Sequence, residues 1–181
     1  MEDRNSWSIK DEAILTDLVT LMNLSDEEKQ ALAASRPQAE EMAPQLINAF
    51  YERLLSHDNT AEYFGGNGMV EHLRGTLEAW FIQLFSGNYD TDYVNSRLTI
   101  GKTHVRIGLP VRYPLAMMDV LVEYGERIAN MNGNAEVTGR AFRKLAALDI
   151  AIFNQAYENT QLDHLAEVVG NERLARRLLT K

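Results

Sequence analysis

Hydrophobic residues recur every three or four positions along most of this chain, which is the spacing that places them on one face of an α-helix. The pattern predicts helices over residues 8–22, 26–36, 38–55, 69–85, 93–107, 110–130 and 135–169. No segment of useful length alternates between apolar and polar residues as a strand does. The sequence therefore predicts an all-α fold with about seven or eight helices.

Several residues bear on where these helices begin and end. Pro44 lies inside the third predicted helix, where a proline either kinks the helix or marks its true start. Pro110 suits the first turn of the sixth helix, and Asp90 or Asp92 can cap the fifth. After Gly170, the tail NERLARRLLTK is either the fraying end of the last helix or the start of a connection to a further segment.

The helices over residues 110–130 and 135–168 are apolar on more than one face. Such helices are either central in the fold or shared with another subunit. We expect them to serve the core on one side and a homodimer interface on the other.

Composition narrows the class of protein. The chain has 181 residues, 45% of them hydrophobic, which suits one compact domain. It contains no cysteine, so disulfides, zinc-thiolate sites, iron–sulfur clusters, a thiolate-ligated haem and covalent haem attachment are excluded. The net charge of -8 without a basic cluster argues against nucleic-acid binding. No apolar run approaches the roughly 20 residues of a membrane span, and the N-terminus lacks a signal peptide. We expect a cytoplasmic chain that does not bind membranes.

His104 is the first candidate for chemistry, since it lies near the end of a predicted helix and before the break Gly108, Leu109, Pro110. A lone histidine on a half-buried helix is more often a hydrogen-bonded core residue than a metal ligand. The remaining histidines show no ligand spacing, and HExxH is absent. A zinc site with several protein ligands is therefore improbable, whereas a bulky cofactor held by one histidine remains open.

Two hydroxyls lie on predicted apolar faces. The ring of Tyr51 is flanked by Ile47, Leu54 and Leu55, so the phenol is buried and needs a hydrogen-bond partner. An ordinary core tyrosine bonded to a backbone carbonyl would satisfy that need. Thr76 lies on the stripe of its helix, where such a hydroxyl usually bonds to the carbonyl one turn earlier.

Three motifs stand out: AFYERLL around Tyr51, LRGTLEAW around Thr76 and HVRIGLPVRYPLAM from His104. With them, residues 24–161 resemble the globin domain of bacterial globin-coupled sensors and the related protoglobins. The resemblance implies a globin fold with an extra N-terminal helix, non-covalent haem b, and His104 as the proximal ligand of its iron. It implies Tyr51 as the distal hydrogen-bond donor, with Leu73 and Thr76 lining the distal pocket. The full haem pocket that we predict consists of Phe50, Tyr51, Leu73, Thr76, Leu77, Trp80, His104, Val105, Ile107, Tyr113 and Met117.

Elementary chemistry agrees with these roles. The second ring nitrogen of His104 can donate to a carbonyl such as that of Ile100 and so fix the orientation of the ring. The Tyr51 hydroxyl would stabilise bound O2 more than bound CO. For the anionic haem propionates, Arg97, Lys102 and Arg106 are all open as partners.

The resemblance implies a gas sensor that binds O2, and also CO and NO, and passes the ligand state through a helical dimer to a fused or partner signalling domain. On this hypothesis the chain itself is not an enzyme. Residues 1–23 form an extension helix, 24–161 the globin core, and 162–181 a helix end or a linker. The alternatives are a single-domain haem enzyme acting on NO or peroxide, and a haem-free interaction module. The enzyme ranks lower, because no glycine motif for a flavin or nicotinamide is present.

Overall fold

A computed structural model describes residues 5, 9, 12–65 and 68–179. This part of the chain is mainly helical and contains no strand, so the predicted all-α fold is confirmed. The helices are α1 (Glu12–Met22), α2 (Asp26–Ala34), α3 (Arg36–Leu55), α4 (Asp58–Ala61), α5 (Met69–Gln83), α6 (Thr91–Arg106), α7 (Arg112–Met131), α8 (Ala135–Val169) and α9 (Glu172–Leu179). A 3₁₀ turn, Glu62–Phe64, follows α4.

The helix ends differ from the predicted ones at particular residues. Pro44 lies inside α3, which begins at Arg36 and carries Pro37 in its first turn, where the missing N–H costs no helix bond. Pro110 precedes α7 by two residues, and its carbonyl accepts from the Tyr113 N–H at 3.0 Å. Asp90 caps α6, as one of the two predicted alternatives, by accepting from the Tyr93 N–H at 3.1 Å.

The number of helices exceeds the prediction because two short ones, α4 and α9, were not foreseen. Gly170 takes a left-handed backbone (φ 70°) that ends α8, after which α9 packs against α8. Residues 172–179 of the tail therefore form a helix of their own, separated from α8 at Gly170. Residues 8, 10 and 11 of the predicted first helix, and 180–181 of the tail, lie outside the described residues.

The long helix α8 is central in the fold. It packs against α6, α7, α9 and α2, while α3 packs against α5 and α7. Phenylalanine rings fill the space between them: Phe81 meets Phe85 edge to face at 5.5 Å, and Phe85 stacks on Phe142 at 5.6 Å. Burial of such apolar surface is the main force that holds the helices together.

Two glycines allow α8 to approach its neighbours closely. A Cβ atom on Gly101 of α6 would lie 2.6 Å from the Cβ of Ala156, and one on Gly125 of α7 would lie 2.0 Å from the Phe142 ring. Both distances are far below van der Waals contact. Gly101 precedes His104 by one turn, so the close packing of α6 on α8 also fixes where that histidine lies.

A buried carboxylate ties α2 to α8. Glu28 is 2% exposed, forms a capping box with Ser25, and accepts from Arg140 at 2.9 Å and Lys144 at 2.8 Å. Burial alone would raise the pKa of Glu28, but the hydrogen bonds from Lys144, the Ser25 N–H and Arg140 outweigh it and lower the pKa to about 2. The carboxylate is thus charged at neutral pH.

Among the described helices, none combines the length and the apolar character that crossing a bilayer requires.

Candidate functional site

A cavity of about 230 Å³ lies among α3, α5, α6, α7 and α8. Ile107, which lines it, is 50% exposed, so the cavity reaches the surface of the protein there. Of the predicted pocket residues, the structure places these in the lining: Phe50, Tyr51, Leu73, Thr76, Leu77, Trp80, His104, Ile107, Tyr113 and Met117. Val105 is the exception, since it is half-buried on α6 and is not in the lining.

The lining also contains residues that the sequence analysis did not assign to a pocket. Three groups of them come from α8 (Asp149, Ile150, Phe153), from α7 (Leu115, Met118, Leu121) and from the segment after α3 (Thr60, Tyr63, Phe64), and the others are Leu54, Arg97, Ile100, Leu109 and Pro114. The apolar pattern of α7 and α8 marked most of the first two groups as interior. It did not show which interior residues face a cavity, because that depends on how these helices pack against α6.

The ring of His104 is oriented by two contacts. Its Nδ1 lies 2.8 Å from the Ile100 carbonyl oxygen, and the ring meets Phe153 edge to face at 5.2 Å. Because a carbonyl can only accept, Nδ1 carries the proton, which leaves the lone pair on Nε2. Nε2 has no hydrogen-bond partner among the residues described. The predicted bond to Ile100 is confirmed.

His104 is held in the neutral form. Burial lowers the pKa of the imidazole, and the bond to the Ile100 carbonyl only partly opposes this. A neutral imidazole with a free Nε2 is the form in which histidine binds a metal ion.

Tyr51 is 4% exposed and lines the same cavity. Its ring packs edge to face against Phe50 at 5.7 Å and Phe64 at 6.0 Å. In the described part of the chain its hydroxyl bonds to no carbonyl, so it is not the carbonyl-bonded core tyrosine considered as the alternative. Burial raises the pKa of Tyr51 to about 12 despite the nearby charge of Arg74, so the phenol stays protonated at neutral pH and can donate.

Thr76 behaves differently from Tyr51. Its hydroxyl bonds to the His72 carbonyl one turn earlier at 3.3 Å, which is the ordinary arrangement for a threonine in a helix. Leu73 and Leu77, half-buried on the same helix, supply apolar surface. We call the side of the cavity that is lined by α3 and α5 the distal wall. Among its lining residues, only Tyr51 offers an uncommitted hydroxyl.

Two tyrosines hold the turn that follows His104. Tyr63 donates to the Gly108 carbonyl at 3.3 Å, and Tyr157 of α8 donates to the Leu109 carbonyl at 2.9 Å. Gly108 has a left-handed backbone (φ 73°), which favours glycine at that position. The turn between α6 and α7 is thus held by hydrogen bonds from the 3₁₀ turn Glu62–Phe64 and from α8.

The three cations considered for the propionates lie in different surroundings. Arg97 is 1% exposed and forms an ion pair with Asp149 at 2.9 Å, so it is already engaged. Lys102 and Arg106 are exposed on α6. Of the three, only the exposed pair is positioned to meet a charged group at the surface.

The residues present fit a haem better than a metal ion held by protein alone. The described residues contain no group of three histidines or carboxylates that could hold a metal ion. They do contain one neutral imidazole with an uncommitted nitrogen, in a cavity walled by aromatic and aliphatic side chains. A macrocycle that supplies four of the iron's ligands needs only that one histidine.

A family model described as Protoglobin matches residues 11–163 of this chain, which is most of its length. The chain belongs to the protoglobin family. The curated relatives of this protoglobin include the heme-based aerotactic transducer HemAT of Halobacterium salinarum, which is 29% identical over 172 residues. That alignment covers 90% of this chain and 35% of the transducer, so the chain spans about a third of that relative.

The fold of this protoglobin is also similar to a solved structure. It resembles the globin domain of a Geobacter sulfurreducens globin-coupled sensor with a TM-score of 0.74 and 27% identity. The match covers 78% of this chain and 96% of the solved one. The predicted globin fold and the predicted resemblance are both confirmed, and membership of a haem-binding family agrees with the chemistry of the cavity.

Proposed function

We propose that this protoglobin is a haem-based gas-sensor domain that binds O2, and also CO and NO, reversibly. His104 would hold the iron of haem b and Tyr51 would donate to the gas. One observation carries the proposal: a neutral imidazole and a buried, protonated phenol line the same cavity, and neither the Nε2 of the imidazole nor the hydroxyl of the phenol has a hydrogen-bond partner among the described residues. The absence of cysteine supports haem b, since covalent attachment requires thiols.

The protein's own residues prepare both sides of the site. The Ile100 carbonyl and the Phe153 ring fix the orientation of the imidazole before anything binds. Leu73 and Phe64 add apolar surface that excludes water from the space next to Tyr51. When bound, the haem iron supplies reversible coordination of a diatomic gas.

Tyr51 gives the site its selectivity between gases. A protonated phenol stabilises a ligand in proportion to the negative charge on that ligand, and bound O2 draws more charge from the iron than bound CO does. A hydrogen bond in such a dry environment is worth about 1–3 kcal/mol. This is roughly a tenfold to a hundredfold difference in affinity.

We also propose how the ligand state leaves the domain. The domain, whose globin core we place at residues 24–161, would form a homodimer through residues 110–130 and 135–168, and a fused or partner signalling domain would receive the change. The HemAT relative, of which this chain matches about a third, supports a sensor role over an enzymatic one. We expect the chain to act in the cytoplasm, and sedimentation of the purified protein tests the dimer.

A visible spectrum of the purified chain, recorded with and without O2 and CO, tests the proposal. We expect a Soret band that His104→Ala removes and His72→Ala retains, because His72 is exposed on α5 and does not line the cavity. A colourless protein after addition of haem would favour a haem-free interaction module. Loss of the band in His72→Ala but not in His104→Ala would show that His104 is not the ligand of the iron. Rapid turnover of NO or peroxide would favour an enzyme.

A further inference from the structure

The hydrogen bonds of a cluster of polar side chains beside the cavity have no role in the function proposed above. We call it the Asp149 cluster, and it consists of Trp80, Gln83, Tyr93, Arg97 and Asp149. The Arg97 Nε donates to one Asp149 carboxylate oxygen at 2.9 Å, and the Tyr93 hydroxyl donates to the other. The Arg97 guanidinium also donates to the Gln83 side chain and to the Trp80 carbonyl at 3.3 Å. The guanidinium also lies 5.8 Å from the centroid of the Trp80 ring.

Burying these charged groups costs a large desolvation free energy. Arg97 is 1% exposed and Asp149 3% exposed, so both charges have lost their water. A buried ion pair often contributes no more stability than well-packed apolar residues of the same volume. Arg97 and Asp149 nevertheless have hydrogen-bond partners within the cluster, and the guanidinium also stacks 3.9 Å from the Tyr93 ring centroid. Stability of the fold alone does not account for this arrangement.

The cluster connects α5 to α6 and α8, two helices with which the backbone of α5 shares little contact. Trp80 and Gln83 belong to α5, Tyr93 and Arg97 to α6, and Asp149 to α8. The backbone of α5 packs against α3, whereas that of α6 packs against α8. Hydrogen bonds of the Asp149 cluster therefore join the helix that carries Leu73 and Thr76 to the pair that carries His104 and Phe153.

Three members of the cluster also face the cavity. The side chains of Trp80, Arg97 and Asp149 all contribute to its lining, whereas Tyr93 does not. Whatever fills the cavity thus meets Trp80, whose carbonyl accepts from the Arg97 guanidinium and whose ring lies against it. A displacement of Trp80 must stretch or break a hydrogen bond to a charged group, and such bonds are among the stronger ones in proteins.

We propose that the Asp149 cluster couples the distal wall of the cavity to α8, with Arg97 and Asp149 as positioning residues for α5. A change at the distal wall would move Trp80, and Asp149 would carry that movement into α8. The inference depends on the proposed function only for the identity of the molecule that occupies the cavity. It predicts that a substitution of Tyr93, which belongs to α6 and does not line the cavity, changes the amide hydrogen exchange of α5.

The first test uses the full chain without haem. Tyr93→Phe removes one hydroxyl that joins α6 to α8, and Tyr157→Phe is its matched control, because it removes a hydroxyl from α8 that bonds outside the cluster. We expect amide hydrogen exchange over residues 77–83 to accelerate roughly tenfold or more in Tyr93→Phe and to remain unchanged in Tyr157→Phe. An unchanged α5 in Tyr93→Phe would overturn the inference. A uniform acceleration in all helices would also overturn it, because it would show that the cluster only stabilises the fold.

The second test uses the haem-loaded chain with CO as the probe. We expect exchange over residues 145–153 of α8 to differ between the ligand-free and CO-bound protein, and Gln83→Leu, which removes the side-chain acceptor that joins α5 to Arg97 outside the cavity lining, to reduce that difference. A response of α8 that is undiminished in Gln83→Leu, or no response in the wild-type chain, would refute the coupling. If the chain binds no haem, the proposed function fails by itself, and the first test still decides whether the cluster ties α5 to α8.

Discussion

Replacing Tyr51 by phenylalanine tests the role of its hydroxyl in gas binding separately from any role in the stability of the fold. In most cores the hydroxyl is bonded to a protein acceptor, so its loss costs stability. Here the ring packs between Phe50 and Phe64, and the hydroxyl has no acceptor among the described residues. Removing the oxygen atom therefore breaks no bond within the described protein and leaves the ring contacts in place.

The expected magnitudes follow from that geometry. The free energy of unfolding of Tyr51→Phe should equal or slightly exceed that of the wild type. The O2 dissociation rate should rise roughly tenfold to a hundredfold, because a bond of about 1–3 kcal/mol to the gas is lost. CO dissociation should change little, because bound CO carries less negative charge for a phenol to stabilise.

Stopped-flow or flash-photolysis kinetics with both gases, together with urea denaturation, measure all three quantities. Tyr124→Phe provides the control, since its hydroxyl bonds to the Gln45 carbonyl at 3.3 Å and Tyr124 does not line the cavity. That variant should lose about 1 kcal/mol of stability and keep wild-type O2 kinetics. Equal acceleration of O2 and CO in Tyr51→Phe would show that the phenol acts by bulk and not as a donor.

Two further predictions concern the framework of the site. Gly101→Ala should destabilise the fold by about 1–3 kcal/mol in urea denaturation, because the added methyl would lie 2.6 Å from the Ala156 Cβ. Gly139→Ala, whose methyl would meet only ordinary contacts, should be neutral or stabilising; equal losses in both would refute the packing argument. Glu28 has a pKa of about 2 in the fold against an ordinary 4.5. The stability that it adds, at most about 3 kcal/mol, is complete above pH 4.5 and is lost as the pH falls towards 2. Glu28→Gln should abolish that part of the pH dependence, and an unchanged acid transition would contradict it.

Sequence reasoning reached the parts of the site that depend on local spacing. The hydrogen bond from His104 to the Ile100 carbonyl follows from the four-residue step of a helix, and so does that from Thr76 to His72. The burial of Tyr51 followed from its apolar neighbours one turn away. Each of these predictions involves residues on a single helix, where the backbone geometry is known in advance.

The parts that sequence reasoning missed depend on pairs of helices. Phe153 lies 49 residues after His104, and its contact with that ring depends on the closeness that Gly101 allows between α6 and α8. The ion pair between Arg97 and Asp149 spans 52 residues, and neither charge was expected to be buried. Long-range packing of this kind has no periodic signal in one sequence.

The length of α8 has a mechanical consequence. Phe153, which contacts the His104 ring, lies 16 residues before the end of the helix at Val169, and an unbroken helix rises about 1.5 Å per residue. The final turn is therefore about 24 Å from the contact. If α8 pivoted as a lever at Phe153 by roughly 5°, its end would sweep about 2 Å, and α9, which packs against it, would travel with it.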